Sequence, residues 1–260
     1  MSARRRKRRK TRTGWQNIAL PFLTLCILYV IYTFVLPQLQ PPDDIAHLPE
    51  GEASGTSYAL SDIPEYSGEA YIVLNDNQPE FSPEDLTTNS YESYSPLDEL
   101  GRCGVATANV GVDIMPTEPR GSIGSVKPSG WQSVKYDCVD GKYLYNRCHL
   151  IGYQLSGENA NRQNLITGTR YLNMDGMLPF ENLVADYVKE TENHVLYRVT
   201  PVFNGSDLVA MGVQMEAQSV EDGGEGICFN VYAYNVQPGV VIDYATGEST
   251  LDDQTTNTAE

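Results

Sequence analysis

One stretch constrains this chain more than any other: Ile18 to Pro37, IALPFLTLCILYVIYTFVLP, twenty residues without a charge. A segment apolar on every side needs lipid or a large protein core around it. As a helix rising about 1.5 Å per residue it just spans a hydrocarbon layer about 30 Å thick. Arg4, Arg5, Arg6, Lys7, Arg8, Arg9, Lys10 and Arg12 precede it, with Trp15 at its near end and Tyr29 and Tyr32 towards its far end. Such a basic cluster also suits a nuclear-localisation or nucleic-acid patch. The apolar run behind it favours a cytoplasmic tail held by the positive-inside rule, with aromatics at the interfaces. The expectation is a single-pass cell-membrane protein: residues 1–17 a basic cytoplasmic tail, 18–37 a transmembrane helix, and everything beyond extracellular. A cleavable signal peptide is the rival, but no small-x-small site follows the run.

Residues 38–57 contain PPDD and GEASGTS and read as a flexible stalk. Residues 58–249 form the expected domain, and the polar residues 250–260 a loose tail. Tyr71 to Leu74 is a short apolar run closed by Asn75-Asp76-Asn77, which predicts a strand. Residues 75–99 read as loop with one short helix, and Leu144 to Tyr153 as a strand or strand end. Phe180, Leu183, Val184, Tyr187 and Val188 recur at helical spacing and predict a helix from about Leu178 to Lys189. Val195 to Phe203, Leu208 to Ala217 and Ile227 to Tyr234, punctuated by Asn204-Gly205 and Gly223-Gly224, predict an antiparallel meander. The fold class is therefore α+β, an antiparallel sheet with packed helices.

The part beyond the basic tail holds 10 Lys and Arg against 34 Asp and Glu, a net −24. That balance opposes a polyanionic partner unless a local basic cleft and a divalent cation overcome it. Cys103, Cys138, Cys148 and Cys228 lie where disulfides can persist, and three full pairings are open to them. Their spacing matches no common zinc pattern. Cys148 and His149 are adjacent, so on a strand they face opposite ways and do not form a thiol–imidazole pair.

The chemistry-bearing residues are concentrated in Asn146-Arg147-Cys148-His149, Asn159 to Asn173 and Phe180-Glu181-Asn182. A histidine that titrates near neutrality, carboxamide oxygens for a hard cation, arginines for phosphate and a helical acid are the ingredients of phosphodiester hydrolysis. The same carboxamides are common in turns. His194, in the polar Thr191-Glu192-Asn193 turn, reads as a surface residue, and Glu216 as a structural residue of the sheet.

Over these segments the chain resembles the DNA/RNA non-specific endonuclease family, especially its secreted streptococcal-type DNases. The family's Asp-Arg-Gly-His segment is matched by Asn146-Arg147-Cys148-His149. Its Asn-rich strand-to-helix stretch is matched by Asn164 to Arg170 with Asn173 in the metal position, and its helical acid by Glu181. The similarity runs from about Tyr71 through Pro128-Ser129-Gly130-Trp131 to Ile242-Asp243-Tyr244-Ala245-Thr246-Gly247. Asn146 stands where the family has Asp, and Cys148 where it has Gly.

The resemblance implies a ββα-metal (His-Me finger) motif and a metal-dependent endonuclease acting on DNA, with RNA as a further substrate. It implies Mg²⁺, with Mn²⁺ as the alternative, and no organic cofactor. His149 would be the general base, Asn173 the metal ligand, and Glu181 a partner of metal-bound water. Arg147 or Arg170 would contact phosphate, and Asn164 would orient the loop or substrate. Products would carry 5′-phosphates and 3′-hydroxyls. A catalytically weak surface module that binds nucleic acid or protein, and an exported nuclease toxin, are the alternatives that the sequence leaves open.

Overall fold

A computed structural model describes residues 60–252. The expected basic tail, membrane span and stalk lie outside the described residues, as do residues 253–260. Among the described residues no helix is long and apolar enough to cross a membrane.

The described chain folds into strands β1 (Tyr71–Val73), β2 (Tyr91–Tyr94), β3 (Ala106–Val110) and β4 (Tyr145–His149), then the one-turn helix α1 (Tyr153–Ser156). Strand β5 (Leu165–Thr169), helix α2 (Leu178–Thr191), and strands β6 (Val195–Val202), β7 (Gly212–Ser219) and β8 (Cys228–Tyr234) follow. Two short strands, β9 (Val240–Ile242) and β10 (Ser249–Leu251), close the order. Six strands form one sheet in the order β1-β8-β7-β6-β3-β2, antiparallel throughout. Strands β4 and β5 form a separate antiparallel pair, as do β9 and β10.

Period-2 alternation sets the two faces of the large sheet. Val195, Tyr197 and Val199 of β6, Val213, Met215 and Ala217 of β7, and Phe229, Val231 and Ala233 of β8 share one core with Phe180, Val184, Ala185 and Val188 of α2. Leu150, Ile151, Leu155 and Ile166, from β5 and the segment after β4, belong to the same core, so the β4–β5 pair lies on the helix side of the sheet. The other face carries a polar cluster. Arg198 Nε donates to Glu216 Oε2 at 2.7 Å, and buried Glu216 also accepts the Glu80 backbone N–H at 2.8 Å. Glu216 is thus a structural ion-pair partner within the sheet.

The predicted meander and helix are present with shifted ends. Leu208 to Met211 is spent on the turn that enters β7, which starts at Gly212. Helix α2 buries Ala185 where the sequence pattern placed Leu183, and Leu183 is 53% exposed. Strand β2 lies inside the segment read as loop and short helix; its YESY sequence carries little pattern, and it is held by pairing with β3. Strand β10 runs to Leu251, beyond the expected boundary at 249. The four cysteines of the described residues are free thiols, Cys103 and Cys148 buried and Cys138 exposed, so none of the three pairings forms.

Candidate active site

The β4–β5 pair leads through the turn Leu172–Met177 into α2, giving a strand–strand–helix unit that carries the candidate site residues His149, Asn173 and Glu181. Its base is pinned to the large sheet by two buried polar residues. Asn235 Oδ1 accepts the Thr169 backbone N–H, while its Nδ2 donates to the carbonyls of Thr167 and Ala210. Thr169 Oγ1 donates to the Val236 carbonyl and accepts the Leu172 N–H, capping the turn that follows. That turn, Leu172–Met177, is π-helical, the Leu178 N–H reaching back to the Asn173 carbonyl. Such bulges recur at functional sites because the extra residue re-aims a side chain. Gly176 lets the turn press on β8: a Cβ there would sit 3.1 Å from the Ala233 methyl.

Strand alternation places Arg147 and His149 on one face of β4 and sends Cys148 into the core. His149 is 6% exposed. Its Nε2 lies 2.7 Å from the Asn159 carbonyl oxygen, which only accepts, so Nε2 carries the proton and Nδ1 keeps its lone pair. Arg120 Nη2 lies 3.4 Å from that Nδ1. Burial lowers the His149 pKa below its ordinary 6.5; the Asn159 contact opposes that shift and the Arg120 charge adds to it. The imidazole is a neutral base at neutral pH, with its acceptor nitrogen towards the cleft.

The cleft has two lobes. One, of about 380 Å³, is lined by His149, Gly152, Gln154, Asn173, Glu181 and the arginines Arg120 and Arg170. Burial pushes the Glu181 carboxyl up to about 7, with Arg120 and a hydrogen bond from Gln154 pulling the other way. Glu181 approaches the loop after β4 so closely that a Cβ on Gly152 would lie 2.7 Å from its Oε2. Asn173 Nδ2 donates to the Met174 thioether Sδ at 3.5 Å, which leaves its carbonyl oxygen for the cleft. Arg170 lines both lobes and is held by Asp140 Oδ2 at 2.8 Å.

The second lobe, of about 520 Å³, is lined by Ile123, Trp131, Tyr143, Tyr145, Asn146 and Arg147, and shares Arg120, Arg170 and Asn173 with the first. Arg147 stacks on Trp131, 3.9 Å from ring centre, and donates to the carbonyls of Val126 and Gly124. Much of its guanidinium therefore braces the 124–131 loop. Asn164 does not reach the cleft. It is fully buried, its Oδ1 accepting the Ile151 N–H at 2.8 Å and its Nδ2 donating to the Ile151 carbonyl at 2.9 Å. The residue read as orienting loop or substrate orients the loop alone. Cys148 is fully buried beside Gly168, whose missing Cβ makes room for the thiol.

Sequence reasoning missed Arg120, which contacts His149 and lines both lobes from the long loop between β3 and β4. Charge distribution was the signal that could have found it. Residues 120–173 hold seven Lys and Arg against three Asp and Glu, a net +4, although the described chain has ten against 28. His194, read as surface, is instead partly buried, with Nδ1 2.7 Å from Glu221 Oε1.

Among the described residues no three His, Cys, Asp or Glu side chains gather to hold a metal. The donors in the first lobe suit a hard cation that keeps much of its water: one carboxamide oxygen, from Asn173, and one carboxylate, from Glu181.

The family pattern of DNA/RNA non-specific endonucleases matches residues 84–221, just over half of the chain. The magnesium-bound crystal structure of NucA from Streptococcus agalactiae superposes with a TM-score of 0.64 at 30% identity, covering 75% of this chain and 92% of that one. The metal-free form of the same protein gives the same values. The Sda1 nuclease with bound zinc superposes with a TM-score of 0.61 at 27% identity, over 71% of this chain and 97% of the other.

Proposed function

Since the chain belongs to the DNA/RNA non-specific endonuclease family and is a hydrolytic nuclease, we propose that it cleaves DNA, and RNA as well, with His149 as general base. We further propose that Asn173 is the protein ligand of a magnesium ion, with manganese as a substitute. The observation that carries the reading is the fixed tautomer of His149, whose Nε2–H is spent on Asn159 and whose Nδ1 is left to take a proton.

In this mechanism His149 Nδ1 accepts a proton from the attacking water, and its depressed pKa keeps it competent below neutral pH. Arg120 leaves its long contact with the imidazole to meet a non-bridging phosphate oxygen, and Arg170 meets another. Asn173 and Glu181 would hold the divalent cation, Glu181 through a coordinated water. When bound, the cation supplies positive charge beside the phosphate and the leaving oxygen. Arg147 acts by bracing the loop that carries Trp131. The replacement of Gly by Cys148 does not touch this chemistry, because the thiol points into the core. The apolar run at 18–37 supports placing the domain outside the cell membrane, tethered by its N-terminal segment.

The test is digestion of plasmid and of RNA by the full-length chain in mild detergent, with Mg²⁺ or EDTA, beside His149→Ala. Cleavage should require the cation and fall about 10²- to 10⁴-fold in the variant. Undiminished cleavage by a folded His149→Ala chain would remove the base from the mechanism.

A further inference from the structure

We propose that the second lobe is a nucleobase-stacking subsite, in which Tyr143 stacks on an unpaired base next to the scissile phosphate and makes single strands the preferred substrate. The inference rests on the nuclease reading above. Phosphate chemistry is already complete in the first lobe, where His149, Glu181, Arg120, Arg170 and Asn173 meet. Nothing in hydrolysis requires the larger, aromatic lobe beside it.

The lobe adjoins the catalytic one, sharing Arg120, Arg170 and Asn173 with it, so a nucleoside neighbouring a phosphate held there has room in it. Its volume of about 520 Å³ accommodates a nucleoside. Tyr143 lines this lobe and is 49% exposed, so its ring is accessible to a ligand there. It follows Gly141 and Lys142, both at positive φ (70° and 68°), in a tight loop that ends two residues before β4. Tyr143 itself is bridged to Lys135, with the Tyr136 N–H donating to the Lys142 carbonyl and the Leu144 N–H to that of Val134, so the ring sits on paired backbone. Lys135 Nζ lies 4.4 Å from its ring centre and covers one face, which leaves the other for stacking. A cation on the far side also adds phosphate attraction. Of the neighbouring rings Tyr145 is buried, and Trp131, with the Arg147 guanidinium over one face, is only partly exposed. Tyr143 is therefore the most exposed aromatic of the lobe.

Aromatic stacking is indifferent to base identity but not to strandedness. Every base has a π face, yet in a duplex both faces are occupied, and exposing one costs unstacking and unpairing. Loss of one stacking ring costs on the order of tenfold in affinity for a single strand. An aromatic lobe thus suits an enzyme that is sequence-tolerant and strand-selective.

The experiment compares full-length wild type, Tyr143→Ala and Tyr143→Phe. Substrates are a single-stranded oligonucleotide with one cleavable phosphodiester, its duplex, and the same single strand with an abasic residue beside that bond. Wild type should favour the single strand, and the abasic residue should cost about tenfold in kcat/KM. Tyr143→Ala should lower the single-strand-to-duplex ratio by a similar factor and become insensitive to the abasic residue, while Tyr143→Phe keeps both behaviours. Equal ratios in all three proteins, or equal cleavage of abasic and normal strands by wild type, would overturn the subsite. Equilibrium binding of fluorescent oligo-dT in EDTA separates this from the catalytic reading. Ring-dependent binding without any cleavage would keep the subsite and remove the catalytic mechanism; cleavage without base dependence would do the reverse.

Discussion

Glu181→Gln should stabilise the cation-free protein at alkaline pH and not at acid pH. The carboxyl is pushed up to about 7 from an ordinary 4.5, chiefly by burial. Below 4.5 both the folded and the unfolded chain hold the proton, and the group contributes nothing to pH dependence. As pH rises from 4.5 to 7 the unfolded carboxyl ionises while the folded one resists, so the folded state loses ground; above 7 the full cost is present. A difference of about 2.5 units at about 1.36 kcal/mol each sets a ceiling near 3.4 kcal/mol. Glu181 sits at the wall of an open, solvated cleft and is only half-buried, which reduces the realised cost to about 1–2 kcal/mol. For a domain of this size that corresponds to roughly 2–8 °C in Tm. Thermal unfolding in EDTA at pH 4 and pH 8 measures it: the glutamine variant should gain at pH 8 and match wild type at pH 4. Adding Mg²⁺ should raise wild type more than the variant, because a cation offsets the cost of the buried charge. A gain of equal size at both pH values would refute the argument, since it would come from shape or hydrogen bonding rather than from ionisation.

Gly168→Ala should cost about 1–3 kcal/mol, because its Cβ would be driven into the Cys148 side chain, with the Cys148 Cβ itself 3.0 Å away. Adding Cys148→Ala should recover much of that loss, and additive effects in a urea-unfolding double-mutant cycle would show that the two sites do not touch. Asn164→Ala should cost about 2–4 kcal/mol, since it strands both the N–H and the carbonyl of Ile151 in the core. Per folded molecule, single-turnover cleavage should fall less than in His149→Ala, because Asn164 acts only by holding the loop after β4.

The parts of the fold legible in the sequence were those whose own pattern matches their burial. Strands β6 to β8 and helix α2 carry alternation or helical spacing, and glycine turns separate them. Strands β2 and β3 were not legible, because their short, weakly patterned sequences are held by neighbouring strands, β2 by β3 and β3 by β6. At the site, resemblance located His149, Asn173 and Glu181, and the structure brings all three to one lobe. It could not give the direction of a carboxamide: Asn164 and Asn173 are the same residue type nine positions apart, one clamped to Ile151 and the other open to the cleft. Nor could local pattern reveal Arg120, whose meaning comes from a fold that carries a loop residue 29 positions back to the imidazole.

The acidity of the chain and its substrate chemistry are reconciled by distance. Between 60 and 252 the net charge is −18, yet residues 120–173 alone carry +4, and three arginines from that segment line the cleft. At physiological ionic strength the field of an exposed charge fades over about 8 Å. Acidic side chains farther than that from the cleft therefore weigh little on a strand held within it. In the proposed mechanism the cleft arginines act at hydrogen-bond range, where screening is weak and guanidinium geometry matches phosphate. Such a division disfavours loose, sequence-blind adhesion along the length of a nucleic acid, since most of the surface repels it. It rewards a strand that enters the groove, and an aromatic foothold at Tyr143 gives that strand an attraction that surface charge does not cancel.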